Sequence, residues 1–528
     1  MLLRFRLILL FCLTISIGFG QKKYPTDYFR SPLDIPIILA GTFGELRSNH
    51  FHSGLDIKTQ QREGLNIYAA ADGYISRIKV QQYGFGKALY ITHPNGHTTV
   101  YGHLKKFNKE IQEYVKSIQY KKEKYGIGSL FPDPEQFPVK KGDIIALSGD
   151  TGGSGGPHLH YEIRDTKTEH IINPMFFGIL PKDDKAPTFT KLMIYPLGNN
   201  SRVNQSTKNL IIPIKKGKNN IYTTNRISAS GTIGFSAQVF DRLNEAWNKN
   251  GIYSLELKVN GKRYFYHDVE TFSFAESKYI NLHIDYPHYG EFRKRFQKTF
   301  KVKANKLSTY EDLINDGKLK IEKGFNYKVE IVAKDFKGNT SIIKIPVFGK
   351  ESNVVFSQKK DTTQYKIAKE KFNKFTQKGI TIAFPKNTFY EDFFLDFKVD
   401  SSKVKIHTPT IPLDKRFTLT FNTSHLSDTE KESMYIANIN NKKYPRYLRT
   451  TKKKNKFYAT TKSLGKYKLL SDKEKPTISL INFKNNQWLS KLKYLKVKIR
   501  DKKSGIKSYK AYLDGEWILM EYNHKKGV

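Results

Sequence analysis

Five residues in three short segments have side chains suited to binding a metal ion and moving protons. His52 and Asp56 lie in the first segment, His103 in the second, and His158 and His160 in the third. Imidazole nitrogen and carboxylate oxygen are zinc ligands, and a catalytic zinc site leaves one position for water. The sequence therefore predicts a hydrolytic zinc centre, with two histidines left for proton transfer. Surface histidines without a special role are the weaker alternative, because the three segments recur in one domain beside glycine.

The spacing within each segment limits how these side chains meet. In an extended strand, residues i and i+2 face the same side, so His158 and His160 would point into one site. His52 and Asp56 are four residues apart, which in a straight strand is about 13 Å, too far for two ligands of one ion. The chain must therefore bend or form a helical turn, and Gly54 favours the bend. Spacing alone does not decide which histidine of the pair binds the metal.

Residues 1–20 have the pattern of a secretory signal peptide. Arg4 and Arg6 precede an apolar run over residues 7–17, and small residues follow it. An uncleaved membrane anchor is the alternative, but the run is short for a bilayer span. We therefore expect export to the periplasm, the cell envelope or the medium. The only cysteine, Cys12, lies in this segment, so the metal site must be built from His, Asp and Glu.

The chain is strongly basic, with 91 Lys and Arg against 49 Asp and Glu and a formal net charge of +42. The electrostatic field of such a positive charge favours polyanionic surroundings. Together with an export signal, it indicates anionic envelope polymers or envelope proteins as partners of the β modules, and no nucleic acid. The alternative is a solvated lysine-rich surface without a partner, because the lysines are spread along the chain.

Alternation of apolar and polar residues predicts a mainly β protein of several domains. Runs such as Ile252–Val259 and Tyr327–Ala333, with turn signals between them, are typical of antiparallel β-sandwiches. A weakly patterned, lysine-rich stretch separates two such regions. The predicted divisions are a signal peptide (1–20), a metal-binding domain (21–181) with an insert (105–138), an Ig-like β-sandwich module (186–348), a linker (349–377), a second β module (378–471) and a partial third β-sandwich module (475–528).

A set of segments around these residues resembles the lysostaphin-type zinc endopeptidases, the LytM-like peptidoglycan hydrolases. They occur in that family's order between Pro32 and Phe177, and the β modules lie outside the resemblance. The segments are His52-Ser-Gly-Leu-Asp-Ile57, Ala69-Ala-Ala-Asp-Gly-Tyr-Ile75, Ile91-Thr-His-Pro-Asn-Gly-His97, Thr99-Val-Tyr-Gly-His-Leu104, Val139-Lys-Lys-Gly-Asp143, Gly149-Asp-Thr-Gly152, Gly156-Pro-His-Leu-His-Tyr-Glu162 and Ile172-Asn-Pro174.

The resemblance assigns roles that spacing left open. It implies that His52, Asp56 and His160 bind one Zn²⁺ per chain, and that His103 and His158 form the catalytic pair. It also implies a compact antiparallel β domain, similar to a barrel-sandwich hybrid, with the metal in a groove. The expected substrates are stem or cross-link peptides of peptidoglycan.

Three further residues have more than one interpretation. Arg47 and Asn49 precede the first ligand and are candidates for contacting substrate carboxylates, although a structural role fits equally well. Glu162 shares the strand parity of His158 and His160, so it would act either as a general base or as a partner that orients a ligand.

The insert at residues 105–138 departs from the compact members of the family, in which this link is shorter. Ile111, Tyr114, Val115 and Ile118 have helical spacing, and a Gly/Pro-containing segment follows them. We therefore expect a helix and a loop that border the groove as a lid or a specificity element.

The function that follows is an exported zinc metalloendopeptidase that cuts peptidoglycan peptides. Two alternatives remain: a non-enzymatic or autoinhibited envelope scaffold, and a zinc peptidase that acts on ordinary proteins. The complete set of five site residues favours an active enzyme.

Overall fold

The chain is mainly β, as the sequence predicted. This computed structural model describes residues 24–351 and 362–528, so the predicted signal peptide lies outside the described residues. Within the described residues, no helix is both long enough and apolar enough to cross a membrane.

The N-terminal domain contains twelve strands and one long helix. They are β1 (Leu39–Gly41), β2 (Leu55–Lys58), β3 (Asn66–Tyr68), β4 (Gly73–Val80), β5 (Lys87–Thr92), β6 (His97–Gly102), β7 (Lys106–Phe107), α1 (Lys109–Lys122), β8 (Gly128–Leu130), β9 (Pro138–Val139), β10 (Ile144–Leu147), β11 (His158–Asp165) and β12 (Ile171–Ile172).

The largest sheet of this domain brings the three chemical segments together. Its order is β1-β2-β11-β6-β5-β4-β8, with antiparallel neighbours, and β3, β10 and β7 form a second, three-stranded sheet. His160 on β11 pairs with Asp56 on β2 on one side and with Gly102 at the end of β6 on the other. Segments far apart in sequence therefore meet at one place because β11 lies between β2 and β6.

The insert is part of the packed domain. Asn108 begins α1 by accepting a hydrogen bond from the backbone N–H of Ile111, and Ile111 and Val115 are buried on the inner face of the helix. Strand β8 then pairs with β4 at the edge of the large sheet. The predicted helix is present, and it is fixed to the core on one side.

The first β module contains β13 (Thr188–Pro196), β14 (Arg202–Val203), β15 (Leu210–Ile212), β16 (Lys215–Lys216), β17 (Ile221–Thr223), β18 (Ile227–Phe240), β19 (Ser254–Val259), β20 (Lys262–Asp268), β21 (Thr271–Phe272), α2 (Ile280–His283), α3 (Tyr286–Phe292), β22 (Gln297–Lys298), β23 (Tyr310–Glu311), β24 (Leu319–Ile321), β25 (Asn326–Lys334) and β26 (Thr340–Gly349). Strand β18 is long enough to take part in two sheets. Its second half pairs antiparallel with β13, and its first residues pair parallel with β26. The sandwich is thus not wholly antiparallel, because β17 and the start of β18 both run parallel to β26.

The first module has a hydrophobic core of its own, and a few of its residues are also buried in the core of the N-terminal domain. Strand β21 pairs with β12, and Phe272 packs against Phe43 and Phe51 with ring centroids 4.9 and 5.4 Å apart. Val269 and Ile280 of the module are buried in the same cluster.

The second β module begins earlier than the sequence predicted. It contains β27 (Lys366–Ile367), β28 (Asn373–Gln377), β29 (Ile380–Phe384), β30 (Phe393–Phe394), β31 (Phe397–Asp400), β32 (Lys403–Ile406), β33 (Phe417–Asn422), α4 (Asp428–Ser433), β34 (Met434–Asn438), β35 (Arg446–Tyr447), β36 (Thr451–Lys453), β37 (Lys456–Thr461) and β38 (Gly465–Ser471). Strands β27 and β28 fall in the predicted linker 349–377, but β28 pairs with β29 and Ile367 is fully buried in the module's core. Two five-stranded sheets enclose that core.

The C-terminal segment forms two separate hairpin-like sheets. They consist of β39 (Thr477–Leu480) with β40 (Val497–Arg500), and of β41 (Tyr512–Leu513) with β42 (Glu516–Trp517). None of residues 475–528 is buried, so this segment does not enclose a core of its own.

Candidate metal centre

His52, Asp56 and His160 converge on one buried point. The Oδ1 atom of Asp56 lies 3.0 Å from Nε2 of His52 and 2.9 Å from Nδ1 of His160. The two imidazole nitrogens are 3.2 Å apart. These are the three residues that the resemblance implied as ligands, and the structure brings them together with all three side chains buried.

The bend before β2 makes this convergence possible. His52 lies outside the strand, Gly54 is at the bend, and Asp56 is the second residue of β2. A Cβ atom on Gly54 would lie 2.3 Å from the carbonyl oxygen of Tyr161. Only glycine permits this close approach of the bend to β11, as the sequence suggested.

Hydrogen bonds on the side away from the centre orient His52 and Asp56. Nδ1 of His52 is 2.8 Å from the carbonyl oxygen of Thr42. A carbonyl only accepts, so this nitrogen carries the proton and Nε2 presents a lone pair to the centre. The second carboxylate oxygen of Asp56 accepts a hydrogen bond of 3.2 Å from Arg47, which leaves Oδ1 for the centre.

Glu162 orients the third ligand and is fully buried. Nε2 of His160 donates to Oε1 of Glu162 across 2.9 Å, so Nδ1 presents its lone pair inward. Arg164 donates to the other oxygen of Glu162 from Nε at 2.7 Å. Phe85 stacks on the ring of His160 with centroids 4.9 Å apart. Glu162 is therefore on the far side of the ring and does not face the centre as a general base.

His103 and His158 border the same point. Nδ1 of His103 donates to the carbonyl oxygen of Thr151, and Nδ1 of His158 donates to that of Gly156, both across 2.8 Å. Nε2 of His158 lies 3.4 Å from Oδ1 of Asp56. The ring centroids of His103 and His158 are 4.7 Å apart. His103 holds a positive φ of 61°, a conformation uncommon for a residue with a side chain and often found at functional sites.

The local charges favour a cation at the centre. Burial acts to raise the pKa of Asp56, but the surrounding imidazoles outweigh it and hold that pKa well below its usual value. Burial acts to lower the pKa of His160, but its hydrogen bonds to Asp56 and Glu162 raise that pKa to about 9. Burial, with His160 and His158 nearby, lowers the pKa of His103 to about 3. His103 is therefore neutral in the neutral pH range.

The two residues predicted to contact substrate have different positions. Arg47 is half-buried and contacts Asp56 and Glu45. Asn49 is exposed, and its Oδ1 accepts a hydrogen bond of 3.1 Å from Asn281 of the first module. The structure thus gives Arg47 an orienting contact and places Asn49 on the rim.

Sequence reasoning missed several residues that hold the site. Thr42 and Thr151 act through backbone carbonyls, which leave no side-chain signal in a sequence. Arg164 had a usable signal, because it follows the strand parity of His160 and Glu162. Phe85 belongs to a neighbouring loop and had none.

The donor set fits zinc. Two imidazole nitrogens and one carboxylate oxygen are ligands that Zn²⁺ accepts, and three protein ligands leave a position open for catalysis. Every imidazole at the site uses its N–H on an acceptor outside the centre, so only lone pairs face inward. Such an arrangement requires a cation or an added proton between them.

A family model described as peptidase family M23 matches residues 50–120, which include His52, Asp56 and His103. The N-terminal domain is a peptidase family M23 domain of the lysostaphin type. A second model, described as a Zu5-like domain, matches residues 364–472, which correspond to the second β module.

Similar proteins match only part of this chain. An uncharacterized metalloprotease of Haemophilus influenzae is 37% identical over 163 residues, which cover 30% of this chain and 28% of that protein. The DD-carboxypeptidase/endopeptidase Mpg of Neisseria gonorrhoeae is 34% identical over 119 residues, covering 22% of this chain and 21% of that protein. The chain thus spans less than a third of the length of either relative. The solved catalytic domain of lysostaphin from Staphylococcus simulans is 26% identical, with 27% of this chain and 92% of that chain covered and a TM-score of 0.20.

Proposed function

We propose that this protein is a zinc metalloendopeptidase that hydrolyses peptide bonds in peptidoglycan, in its stem or cross-link peptides. The convergence of inward lone pairs from His52, Asp56 and His160 carries the proposal. The M23 domain supports a peptidase, and the relatives named as DD-endopeptidases support a peptidoglycan substrate.

His52, Asp56 and His160 would hold the zinc ion. When bound, zinc supplies Lewis acidity and an activated water molecule. The rings of His103 and His158 border that position. They are placed to accept a proton from the attacking water, to return it to the leaving amine and to stabilise charge on the carbonyl oxygen.

The surrounding residues keep this arrangement fixed. Thr42 and Glu162 hold the tautomers of His52 and His160, and Arg47 holds the carboxylate of Asp56. The groups are thus set before substrate binds, which lowers the reorganisation needed during the reaction.

The direct test is muropeptide analysis of purified peptidoglycan after incubation with the zinc-loaded protein. The variants are His160→Ala and, as a matched control, His170→Ala, which removes an exposed histidine of the same domain. We expect cross-linked dimers to fall to monomers with the wild type and the control, and not with His160→Ala. Intact dimers in every digest would contradict the proposal and favour an envelope scaffold.

A second variant separates binding from catalysis. His103→Ala should abolish turnover while zinc remains bound, because His103 is assigned to proton transfer and not to the metal. A general protein substrate such as casein, digested in parallel, distinguishes a peptidoglycan enzyme from a peptidase that acts on ordinary proteins.

We also propose that the protein is exported, on the pattern of residues 1–20. A fusion of this segment to a reporter that is active only outside the cytoplasm should be active. An inactive fusion would contradict export.

A further inference from the structure

Three aspartates meet where the M23 domain joins the first β module. Asp183 lies in the connection between them, Asp241 follows β18, and Asp335 follows β25. One carboxylate oxygen from each lies within 4.8 Å of the others. The three come from separate segments, so the fold itself assembles this group.

Asp241 is the central member of this aspartate cluster. Its side chain is only 1% exposed, and its Oδ1 atom is buried without a hydrogen-bond partner. An unpaired buried carboxylate oxygen is costly unless something binds it. The cavity that contains the cluster has a volume of about 20 Å³, enough for one water molecule or one ion.

The negative charges of the cluster are only weakly compensated, because Lys185 is a minor cause that lowers the pKa of Asp241 and forms no ion pair with it. Among the ion pairs between described residues, none includes Asp183, Asp241 or Asp335. The Nζ atom of Lys185 instead donates to the carbonyl oxygen of Leu243 across 3.4 Å. Burial raises the pKa of Asp183 to about 7, and burial with the neighbouring carboxylates raises the pKa of Asp241 to about 8. The cluster therefore needs either a proton or a cation.

Hydrogen bonds hold the carboxylates of Asp335 and Asp183, and at Asp241 they hold the main chain. Asp335 accepts hydrogen bonds from the backbone N–H and the side chain of Asn339, at 2.9 and 2.7 Å. Asp241 and Asn250 exchange two backbone hydrogen bonds, and Asp183 accepts one from the backbone N–H of Lys185. The carboxylate oxygens of Asp183 and Asp335, and the backbone that carries Asp241, are thus positioned before any ligand arrives.

We propose that Asp183, Asp241 and Asp335 bind a calcium ion that fastens the first β module to the M23 domain. The donors are carboxylate oxygens alone, with no imidazole or thiolate, and such hard oxygen ligands suit Ca²⁺ rather than Zn²⁺. Backbone carbonyls and water supply the remaining ligands of a calcium ion in such sites. This site is separate from the candidate zinc centre.

A short series of hydrogen bonds connects this site to the candidate zinc centre. Asn250, which pairs with Asp241, is followed by Gly251, whose N–H donates to Oγ1 of Thr42 across 3.0 Å. The carbonyl of Thr42 in turn orients His52. Calcium binding at the junction would therefore also hold a zinc ligand in position.

The test uses the full chain, passed over a chelating resin and reloaded with zinc before Ca²⁺ is titrated. Bound calcium is counted by equilibrium dialysis, and the unfolding midpoint is followed by calorimetry. The variant is Asp241→Asn, which keeps the size of the side chain and removes its charge. The matched control is Asp184→Asn, because Asp184 is adjacent to Asp183 but exposed and outside the cluster.

We expect the wild type and Asp184→Asn to bind one Ca²⁺ per chain and to gain about 5 °C or more in unfolding midpoint near saturation. Asp241→Asn should bind none at this site and gain nothing. Without calcium it should be at least as stable as the wild type, because it relieves charge repulsion. Asp335→Asn provides a second variant if Asp241→Asn does not fold. Failure of the wild type to bind Ca²⁺, or an equal response of Asp241→Asn, would overturn the proposal.

Discussion

Glu162 decides which nitrogen of His160 faces the metal position. It accepts the Nε2 proton of His160 and is itself held by Arg164, so three side chains along one face of β11 form a connected series. Burial acts to raise the pKa of Glu162, but Arg164 and His160 lower it to about 2. Glu162 is therefore ionised throughout the neutral range and acts on the metal through His160.

Replacing Glu162 by Gln should weaken zinc binding by about 10- to 100-fold, because the ligand loses a charged acceptor that orients it. The measurement is a competition titration against a chelator of known zinc affinity. Glu169→Gln is the matched control, since Glu169 also pairs with Arg164 but is exposed and does not reach His160. Equal zinc affinity in both variants would show that Glu162 has no orienting role.

At the level of elements, the order of strands explains why the sequence predicted the site residues but not how their strands pair. The shared face of His158 and His160 followed from strand period, and both rings do lie near Oδ1 of Asp56. The ligand types followed from residue identity, and metal binding by them stays a prediction. The pairing of β11 between β2 and β6 was not visible, because register between distant strands depends on the packing of the whole sheet. The start of the second module was missed for a similar reason: β28 has an alternating pattern too short to stand out among lysines.

The structure of the insert was also only partly predictable, because strand pairing cannot be read from local sequence. Helical spacing predicted α1, but not that β8 would join the edge of the large sheet. Tyr125, between these two elements, lines a cavity of about 260 Å³ together with Thr151, whose carbonyl orients His103. The insert therefore lines a cavity that also includes Thr151, and its role as a lid or in substrate choice stays a prediction.

The turn between β5 and β6 should make stability depend on pH. Burial lowers the pKa of His93 to about 4, and more than offsets the hydrogen bond from its Nδ1–H to the carbonyl of Asp72. The folded state thus favours neutral His93, whereas the unfolded chain binds a proton near pH 6.5. Stability is fully present above about pH 6.5 and falls as pH decreases toward 4, by about 3 kcal/mol in total.

Urea unfolding from pH 4.5 to 7.5 measures this effect, and His93→Gln isolates it. The difference in unfolding free energy between the wild type and the variant should shrink as the pH falls, because only the wild type carries the titrating ring. A difference independent of pH would show that His93 does not contribute in this way.

On the scale of the whole molecule, the domain boundaries in sequence are not boundaries of the hydrophobic core. The cluster that supports the M23 domain includes residues from the first β module, namely Leu243, Ala246, Val269, Phe272, Ile280 and Leu307. The second β module differs, because its core consists only of residues between Ile367 and Tyr467. Among the described residues, 24–351 thus form a unit in which the first module completes the core of the M23 domain beside its own core, whereas the second module completes its core alone.

A comparison of fragments tests this division. Residues 24–181 alone would expose the apolar surface that Phe272 and its neighbours cover, so this fragment should aggregate or unfold at a clearly lower temperature than residues 24–351. Residues 362–472 should fold alone, because their core needs no other segment. Calorimetry with light scattering measures both properties. If residues 24–181 stay monomeric and unfold at the same temperature as residues 24–351, the M23 domain is independent of the module. If they do not, the module is part of the structure that holds Thr42, and through it His52, in place.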